Sequence, residues 1–331
     1  MISAVPVDFP DSALEAEVRD GLARVEESLA ATAHPDDGLL TEASRHLIAA
    51  GGKRFRAMLV LLAAQFGDPA DPRVIEAAVA IELTHLATLF HDDVMDEAII
   101  RRGHPSANSM FGNSIAILAG DYLFARASRI LADLGPQAIR IQAETFSRLV
   151  DGQLAETVGV RPGQDPLDHY MHVITEKTGS LIATSGRFGA MFSGAPDEIS
   201  DLIADACQRI GVAWQLSDDV LDVSSSSAQS GKEPGTDLRQ GVRTLPVLYA
   251  LRSADPAGER LRWLLTEADL TDASLHAETL SLLRVSPALG EARETVRSWI
   301  ADARSRLTQL PSVPARAAFE SLCDFVLTRT G

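Results

Sequence analysis

The stretch that decides the fold is Leu86-Ala87-Thr88-Leu89-Phe90-His91-Asp92-Asp93-Val94-Met95-Asp96-Glu97, an apolar helical run that ends in carboxylates. On a helix, Asp92 and Asp96 lie four residues apart on one face, whereas Asp93 is turned away by about 100°. Like charges at this spacing repel each other and destabilise the helix, so a bound cation is needed to favour them. Magnesium takes hard oxygen ligands and leaves room for phosphate oxygens. The stretch therefore predicts a divalent-metal site at the end of an apolar helix.

The same pattern occurs again in Trp214-Gln215-Leu216-Ser217-Asp218-Asp219-Val220-Leu221-Asp222. Asp218 lies 126 positions after Asp92, so only the fold can bring the two motifs together. A single Asp-Asp-x-x-Asp is also typical of the solvated end of an acidic helix. Acidic side chains, however, favour helix N-termini, and both motifs follow their apolar run. We therefore interpret the pair as two parts of one metal site that binds an anion.

The composition favours an all-α protein with a large core. Of the 331 residues, 46% are hydrophobic and 5% aromatic, and apolar residues recur at helical intervals along most of the chain. The sequence has no alternating strand pattern of useful length, no GxGxxG and no P-loop. We predict a single domain over 1–331, a large helical bundle around a central cavity. The net charge of −16 argues against nucleic-acid binding, which requires clustered Lys and Arg.

The N-terminal residues carry no positively charged segment followed by a long apolar core, so we expect no signal peptide. The longest uncharged apolar run, 57–66, is far shorter than the roughly 20 residues that span a bilayer. Cys207 and Cys323 are isolated and are expected to be buried thiols in a reducing compartment. These features predict a cytoplasmic protein.

The helical period predicts long helices over 74–97, 109–134 and 136–160. The 176–180 segment is expected to interrupt the helices on either side of it. The 224–240 segment is rich in Ser, Gly and Pro and has the composition of an exposed loop. Because it contains Lys232 and Asp237, we expect it to order as a lid over a bound anion.

Basic residues occur in short groups in an otherwise acidic protein. Each alone is more typical of a solvated surface charge than of a ligand. Beside two acidic motifs, however, they predict the mouth of a cavity where Mg²⁺ and cations jointly hold a polyphosphate. The residues are Lys53, Arg56, His85, Arg101, Arg102, Lys177 and Lys232.

The sequence resembles the trans-isoprenyl diphosphate synthases, or polyprenyl synthetases, and is most similar to their bacterial long-chain members. The resemblance covers nearly the whole chain, and its motifs are specific in this order. They are Gly51-Gly52-Lys53-Arg54-Phe55-Arg56, His91-Asp92-Asp93-Val94-Met95-Asp96 with Arg101-Arg102-Gly103, Lys177-Thr178, Gln215-Leu216-Ser217-Asp218-Asp219-Val220-Leu221-Asp222 and Gly231-Lys232.

This resemblance implies an all-α homodimer that performs an ionisation–condensation–elimination reaction. The expected ligands of Mg²⁺, which holds the diphosphate of an allylic substrate such as farnesyl or geranylgeranyl diphosphate, are Asp92, Asp96 and Asp218. The residues expected to hold the same diphosphate are Arg101, Lys177, Thr178, Gln215 and Lys232. The residues expected to hold isopentenyl diphosphate are Lys53, Arg56, His85 and Arg102. The expected catalytic residues are Asp92, Asp96, Asp218, Arg101, Lys177 and Lys232.

One departure concerns the Gly-Lys-x-Thr that follows the second acidic motif in many members. This chain has Gly241-Val242-Arg243-Thr244, so the family lysine is absent at Val242. Its contact with the allylic diphosphate is lost or taken over by Arg243, and we do not assign it.

Product length in this family is expected to follow the depth of an apolar tunnel below the first acidic motif. Ala87 stands five residues before Asp92, about 7.5 Å deeper along the helix. Neither Ala87 nor Thr88 is bulky, which predicts a product longer than farnesyl. The segments 98–108 and 120–126 resemble the long-chain synthases most, which implies a product longer than geranylgeranyl, from hexaprenyl to decaprenyl. The alternative is that Phe124 or Phe146, on another helix, stops growth at geranylgeranyl or earlier.

Two other functions remain open at this point. A non-catalytic partner subunit of a heteromeric synthase would not need clustered carboxylates, and a terpene cyclase would not need the basic residues for a second diphosphate. The enzyme interpretation therefore has the most support, and we expect the apolar product to be handed to a membrane.

Overall fold

The computed structural model describes residues 9–32, 38–224, 234–253 and 256–329. These residues are helical almost throughout, and the all-α prediction is confirmed. The α-helices are α1 Ser12–Thr32, α2 Gly38–Ala49, α3 Phe55–Ala64, α4 Pro72–Met95, α5 Ala107–Phe111, α6 Asn113–Leu134, α7 Pro136–Val158, α8 Pro166–Ile174, α9 Ser180–Phe192, α10 Asp197–Ser224, α11 Thr236–Arg239, α12 Leu245–Arg252, α13 Glu259–Glu267, α14 Ala273–Val285, α15 Pro287–Leu307 and α16 Pro314–Arg329. A two-residue strand, Ile100–Arg101, pairs antiparallel with His104–Pro105.

Local signals in the sequence explain where the central helix α4 begins. The carboxylate of Asp71 accepts a hydrogen bond from the backbone N–H of Arg73 at 2.9 Å, and Pro72 occupies the first helical turn. Such a cap satisfies an N–H that has no partner within the helix, and proline at this position loses no hydrogen bond. The helix ends at Met95, with Asp96 at the C-cap. The first acidic motif therefore straddles the end of a helix.

The prediction that 176–180 interrupts the helices was wrong. Helix α8 continues through a π-helical turn, Thr175–Gly179, into α9. A π turn keeps the chain helical while widening it, and such turns are frequent at functional sites. Gly152 of α7 passes very close to this turn, since a Cβ there would lie 2.6 Å from the backbone nitrogen of Lys177. Glycine and threonine in this segment thus mark a widened turn rather than a break.

The predicted helix over 109–134 is divided in the structure. The short helix α5 ends at Phe111, Gly112 has a φ of 80°, and α6 begins at Asn113. A positive φ at this value favours glycine and ends a right-handed helix. The other boundaries differ from the predicted ones by at most two residues.

The described residues form two compact units. The first lies within Met1–Ser147, Leu181–Cys207 and Leu307–Ser321, and the second within Arg148–Ser180, Gln208–Arg306 and Leu322–Gly331. In the first unit, α4 packs against α6, α3 and α1. In the second unit, α12 packs against α13, α14 and α8. The prediction of one domain stays a prediction.

Helix α4 is the core helix of the first unit. Within the described residues it is the one helix that is long and apolar enough to cross a membrane, and 67% of its most apolar window is buried inside the protein. A buried core helix has this composition, because all of its faces meet apolar neighbours. Elsewhere, Cys207 and Cys323 are buried thiols, as predicted.

Candidate active site

The three carboxylates of the first acidic motif have different environments. Asp92 is half-buried, Asp93 is fully buried and Asp96 is exposed. The Nε of Arg101 donates a hydrogen bond to Asp93 Oδ1 at 2.6 Å, and Ala98 N–H donates to the backbone oxygen of Asp93 at 3.0 Å. Asp93, which the helical period turns away from its neighbours, therefore fixes Arg101 against the end of the helix that carries Asp92 and Asp96.

The basic loop, 51–56, lies against Arg102. Its guanidinium donates a hydrogen bond to the carbonyl oxygen of Gly51, and a Cβ on Gly52 would lie 2.9 Å from Arg102 Nη1. A side chain at this position would have to displace that guanidinium. Gly51 also has a φ of 73°, a conformation that glycine adopts without strain. The structure thereby brings Arg102 against the two glycines that directly precede Lys53.

Electrostatic effects place Arg56 and His85 in the same cluster. Burial lowers the pKa of Arg56 to about 10, with the charge of Glu82 opposing that shift and the charge of Arg102 adding to it. Burial, and then the positive charges of Arg56 and Arg102, lower the pKa of His85 well below its ordinary value. At neutral pH, Arg56 is therefore a cation and His85 is a neutral hydrogen-bonding group.

This cluster has the properties of an anion site. The Nε of Arg56 is buried and has no hydrogen-bond partner among the described residues. A buried donor without a partner is costly, and an anion would satisfy it. Three of the residues predicted for isopentenyl diphosphate, Arg56, His85 and Arg102, thus lie in one cluster, and Lys53 belongs to the adjoining loop, while their role stays a prediction.

The π turn holds the predicted residues Lys177 and Thr178 in the second unit. Lys177 Nζ donates a hydrogen bond to the carboxylate of Glu156. Its neighbour Glu176 forms a two-pronged ion pair with Arg148, with distances of 2.6 and 2.9 Å. Both contacts join the turn to α7, so they hold the backbone that carries Lys177 in place.

The second acidic motif lies inside α10, near its end. Asp218 is half-buried and pairs with the guanidinium of Arg329, which stacks over the Trp214 ring at 4.4 Å from its centroid. Asp219 is buried and accepts hydrogen bonds from Tyr170 Oη and, at 3.1 Å, from Gln215 Nε2. Gln215, predicted to hold the allylic diphosphate, is therefore engaged with its own helix.

The third carboxylate of this motif, Asp222, caps helix α11. Its oxygens accept the backbone N–H of Thr236 at 3.1 Å and of Asp237 at 3.2 Å, and its carbonyl accepts the N–H of Gly235 at 2.7 Å. A carboxylate at a helix N-terminus satisfies N–H groups that lack an intrahelical partner. Asp222 thus holds the segment that follows 225–233.

Two pKa shifts show how deeply the middle carboxylate of the second motif is buried. Burial raises the pKa of Asp219 to about 7, although the hydrogen bonds from Tyr170 and Gln215 oppose that shift. Burial and the nearby charge of Asp219 raise the pKa of Tyr170 well above its ordinary value. Tyr170 therefore stays protonated and donates a hydrogen bond to Asp219.

Lys232 and most of the predicted lid lie outside the described residues, in 225–233. Val242 and Arg243, where the family motif departs, are exposed. The N–H of Val242 donates to the backbone oxygen of Asp237 at 2.9 Å. The question of whether Arg243 replaces the family lysine stays open.

The carboxylates at the end of α4 are the candidate metal ligands in the first unit. Within the described part of the chain, no group of three or more His, Cys, Asp or Glu side chains could hold a metal ion. Asp92 and Asp96 at one helix end still fit Mg²⁺, which typically takes one or two carboxylates and completes its shell with water and substrate phosphates. The meeting of Asp92 with Asp218 stays a prediction.

The residues predicted to set product length lie in the first unit. Ala87 is 1% exposed, and its carbonyl oxygen would lie 3.1 Å from a Cβ on Gly120 of α6. Thr88 donates its hydroxyl hydrogen to the carbonyl of His85 at 2.8 Å. The rings of Phe124 and Phe146 stack with centroids 4.2 Å apart.

Several residues that support these groups were missed by the sequence analysis. Glu82 offered a signal, because it is the one charged residue within the apolar run 77–84 and a charged side chain is rarely buried unless paired. Tyr170 and Arg329 offered none, since their partners are remote in sequence. Glu82 and Arg329 bring opposite charge to the predicted site residues Arg56 and Asp218, and Tyr170 donates a hydrogen bond to Asp219, the neighbour of Asp218.

Comparison with known proteins defines the class. A family model described as polyprenyl synthetase matches residues 37–282. The chain belongs to the polyprenyl synthetase family, and the predicted enzyme class, a prenyltransferase of isoprenoid biosynthesis, is confirmed. The terpene cyclase reading is set aside by this result.

Three relatives make the relationship specific. The nonaprenyl diphosphate synthase of Mycobacterium tuberculosis is 48% identical over 326 residues, which are 98% of this chain and 97% of that protein. The dimethylallyltranstransferase of the same organism is 42% identical over 99% of both chains. The geranylgeranyl pyrophosphate synthase of Corynebacterium glutamicum, solved as a complex with calcium and isoprenyl diphosphate, is 44% identical with a TM-score of 0.90, covering 98% of this chain and 100% of its own.

Proposed function

We propose that this enzyme uses Mg²⁺ to condense isopentenyl diphosphate with an allylic diphosphate, farnesyl or geranylgeranyl diphosphate, giving a trans-polyprenyl diphosphate. One observation carries this proposal. Arg101 donates a hydrogen bond to Asp93 of the acidic motif, and its neighbour Arg102 donates one to the carbonyl of Gly51 in the basic loop, so the acidic motif and the basic loop belong to one site. Metal ligands beside phosphate-binding cations suit a reaction in which a diphosphate leaves.

The proposed reaction divides the work among the residues of the site. Bound Mg²⁺ would be held by Asp92, Asp96 and Asp218 and would neutralise the charge that develops as the allylic C–O bond breaks. Arg101, which Asp93 fixes, would hold the same diphosphate. The further groups for this diphosphate are Lys177, Thr178, Gln215 and Lys232.

The second substrate is assigned to the basic cluster. Lys53, Arg56 and Arg102 would bind the isopentenyl diphosphate, and neutral His85 would add a hydrogen bond. The double bond of this substrate attacks the allylic cation, and the released diphosphate can take the proton that is eliminated. Apolar helices must exclude water, which would otherwise capture the cation.

The direct test supplies purified protein with MgCl₂, farnesyl diphosphate and labelled isopentenyl diphosphate, and measures extracted products by chromatography. We expect elongated, labelled polyprenyl diphosphates. The matched control is Asp133→Asn, an exposed carboxylate on α6, which should behave as the wild type. Wild-type protein that forms no elongated product would refute the synthase proposal and favour a non-catalytic partner subunit.

We propose a product longer than geranylgeranyl, supported by the small, buried Ala87 below the first acidic motif. A shorter product, geranylgeranyl or farnesyl diphosphate, is the second candidate. The stacked pair of Phe124 and Phe146 favours it, because two aromatic rings in contact could close a tunnel. Mass spectrometry of the product decides between them, since each added unit increases the chain by five carbons.

A homodimer is the proposed assembly. On α7, Val150, Leu154 and Val158 are each about half-exposed and recur every four residues, so they form one apolar face. An exposed apolar face of this kind is typical of a contact between identical chains. Light scattering after gel filtration should give twice the mass of 35.4 kDa, and Leu154→Glu should reduce it towards that of one chain. A wild-type mass of one chain would contradict the dimer.

We further propose that the enzyme is cytoplasmic and hands its product to a membrane, since a long polyprenyl tail is insoluble in water. Cell fractionation tests the location of the enzyme. Turnover measured with and without added phospholipid vesicles tests the transfer of the product. Enzyme in the soluble fraction and faster turnover with vesicles are expected.

A further inference from the structure

Glu82 is a buried carboxylate in the middle of the core helix α4. Its side chain is 2% exposed. Glu82 is not one of the predicted site residues. Its Oε1 accepts a hydrogen bond from Ala57 N–H at 3.0 Å, and its Oε2 lies 3.6 Å from Arg54 Nη1. A carboxylate buried this completely is stable only when paired and hydrogen-bonded. Both partners of Glu82 belong to the segment that begins α3.

Glu82 replaces the missing N-cap of α3. The first N–H groups of a helix have no partner within it, and a side chain at the N-cap usually accepts one of them. Here the N-cap residue is Arg54, which makes no side-chain cap. The carboxylate of Glu82 instead accepts the N–H of Ala57, the third residue of α3, and brings negative charge to the positive end of the helix. A residue of another helix therefore fixes where α3 begins.

Arg54 has a backbone conformation that needs support. Its φ of 45° and ψ of 40° are left-handed, which is unfavourable for a residue other than glycine. Its buried guanidinium is held by the carboxylate of Glu26, with Nη2 to Oε2 at 3.2 Å, by the carbonyl of Ile48 at 3.3 Å and by Glu82. These contacts stabilise the left-handed backbone conformation of Arg54.

The two cations assigned to isopentenyl diphosphate flank Arg54 in the chain. Lys53 precedes it directly, and Arg56 is the second residue of α3. The direction in which each side chain leaves the backbone is therefore set by the left-handed turn and by the start of the helix. The negative charge of Glu82 also acts on Arg56, since it opposes the lowering of its pKa by burial.

We infer that Glu82 is a positioning residue of the isopentenyl diphosphate site. Glu82 caps α3 and pairs with Arg54, and it thereby orients Lys53 and Arg56 to bind the diphosphate. This inference rests on the proposed function of those two cations. It differs from a general role in stability, because it predicts an effect on one substrate and not on the other.

The test is Glu82→Gln, which keeps the size and an acceptor for Ala57 N–H but removes the charge that Arg54 faces. We expect the KM for isopentenyl diphosphate to rise about tenfold, with the KM for the allylic diphosphate within about twofold of the wild type. The matched control is Glu76→Gln, the same change at an exposed position of α4, which should alter neither constant.

A second control separates positioning from stability. Ile81→Val, a buried neighbour on the same helix, should lower the melting temperature without changing the ratio of the two KM values. If Glu82→Gln does not yield folded protein, Arg54→Lys serves instead, because lysine keeps the charge but loses the forked donor geometry. It should raise the same KM.

The outcomes distinguish this inference from the function on which it rests. Wild-type protein without synthase activity overturns both. An active wild type whose two KM values rise equally in Glu82→Gln, or a selective rise in Ile81→Val as well, overturns the positioning role alone. A selective rise in Glu82→Gln or Arg54→Lys, with unchanged ratios in both controls, supports it.

Discussion

In the first acidic motif the middle carboxylate, Asp93, is buried against the cation of Arg101, whereas in the second motif Asp219 is buried against the neutral groups of Tyr170 and Gln215. The third carboxylates differ too. Asp96 follows the last residue of α4, while Asp222 lies within α10 and caps α11. The same sequence pattern therefore makes different contacts in the two motifs, because the first motif straddles the end of its helix and the second lies within its helix.

This comparison shows what a helical period alone can assign. In both motifs the first carboxylate is partly exposed and the second is turned inward, as a rotation of about 100° per residue requires. What the inward carboxylate meets depends on the neighbouring element. The following predictions use matched changes in the two motifs, and they begin with the largest expected effect.

The first carboxylate of the first motif should matter for turnover and not for folding. We expect Asp92→Ala to lower kcat by about a thousandfold, because a metal ligand is lost. The melting temperature should change little, since the repulsion with Asp96 is relieved while the attraction of Arg56 is lost. Steady-state kinetics and thermal unfolding measure the two effects. A large fall in the melting temperature would mean that the cluster is structural.

The middle carboxylates should differ in their effect on stability. Asp93→Asn should lower the free energy of unfolding by about 3 kcal/mol, since a buried charge pair loses one partner. Asp219→Asn should lower it by about 1 kcal/mol, because its partners are neutral and an amide oxygen still accepts one hydrogen bond. Urea unfolding of both variants provides the comparison. Equal losses would show that the nature of the partner does not matter.

The third carboxylates should separate activity from stability. Asp222→Ala should lower the free energy of unfolding by about 1 kcal/mol, as expected for a lost helix cap. Asp96→Ala should change it by less than about 0.5 kcal/mol, because the side chain is exposed, while reducing kcat. An Asp222→Ala variant with the free energy of unfolding of the wild type would contradict the capping role.

The last comparison concerns product length, at the residues five positions before each motif, Ala87 and Ala213. Ala87→Phe should shorten the product with little change in the rate of the first condensation. Ala213→Phe should reduce stability by about 1–3 kcal/mol through overpacking and leave the product distribution unchanged. Mass spectrometry of the products measures the difference. An unaltered distribution in Ala87→Phe would remove Ala87 from the tunnel.

Much of the fold follows from local sequence. The Asp71-Pro72 start of α4, the apolar period and the paired acidic motifs are signals contained within a few residues. The π turn was misjudged because glycine and threonine usually mark a break, while its helical continuation depends on close packing against Gly152.

The supporting contacts of the site could not be predicted in the same way. Arg54 meets Glu26 across 28 positions, and Arg329 meets Asp218 across 111. Nothing in a local pattern selects such partners, because tertiary packing decides which remote charge a buried group meets. The residues expected to touch the substrates were therefore easier to name than those expected to orient them.

The stacking of Arg329 on Trp214 gives the second acidic motif an optical signal. Trp214 is one of three tryptophans in the chain, and its indole face is covered by the same guanidinium that pairs with Asp218. Any event that draws this guanidinium away from the carboxylate also uncovers the ring. Indole emission should therefore report events at Asp218 without an added label.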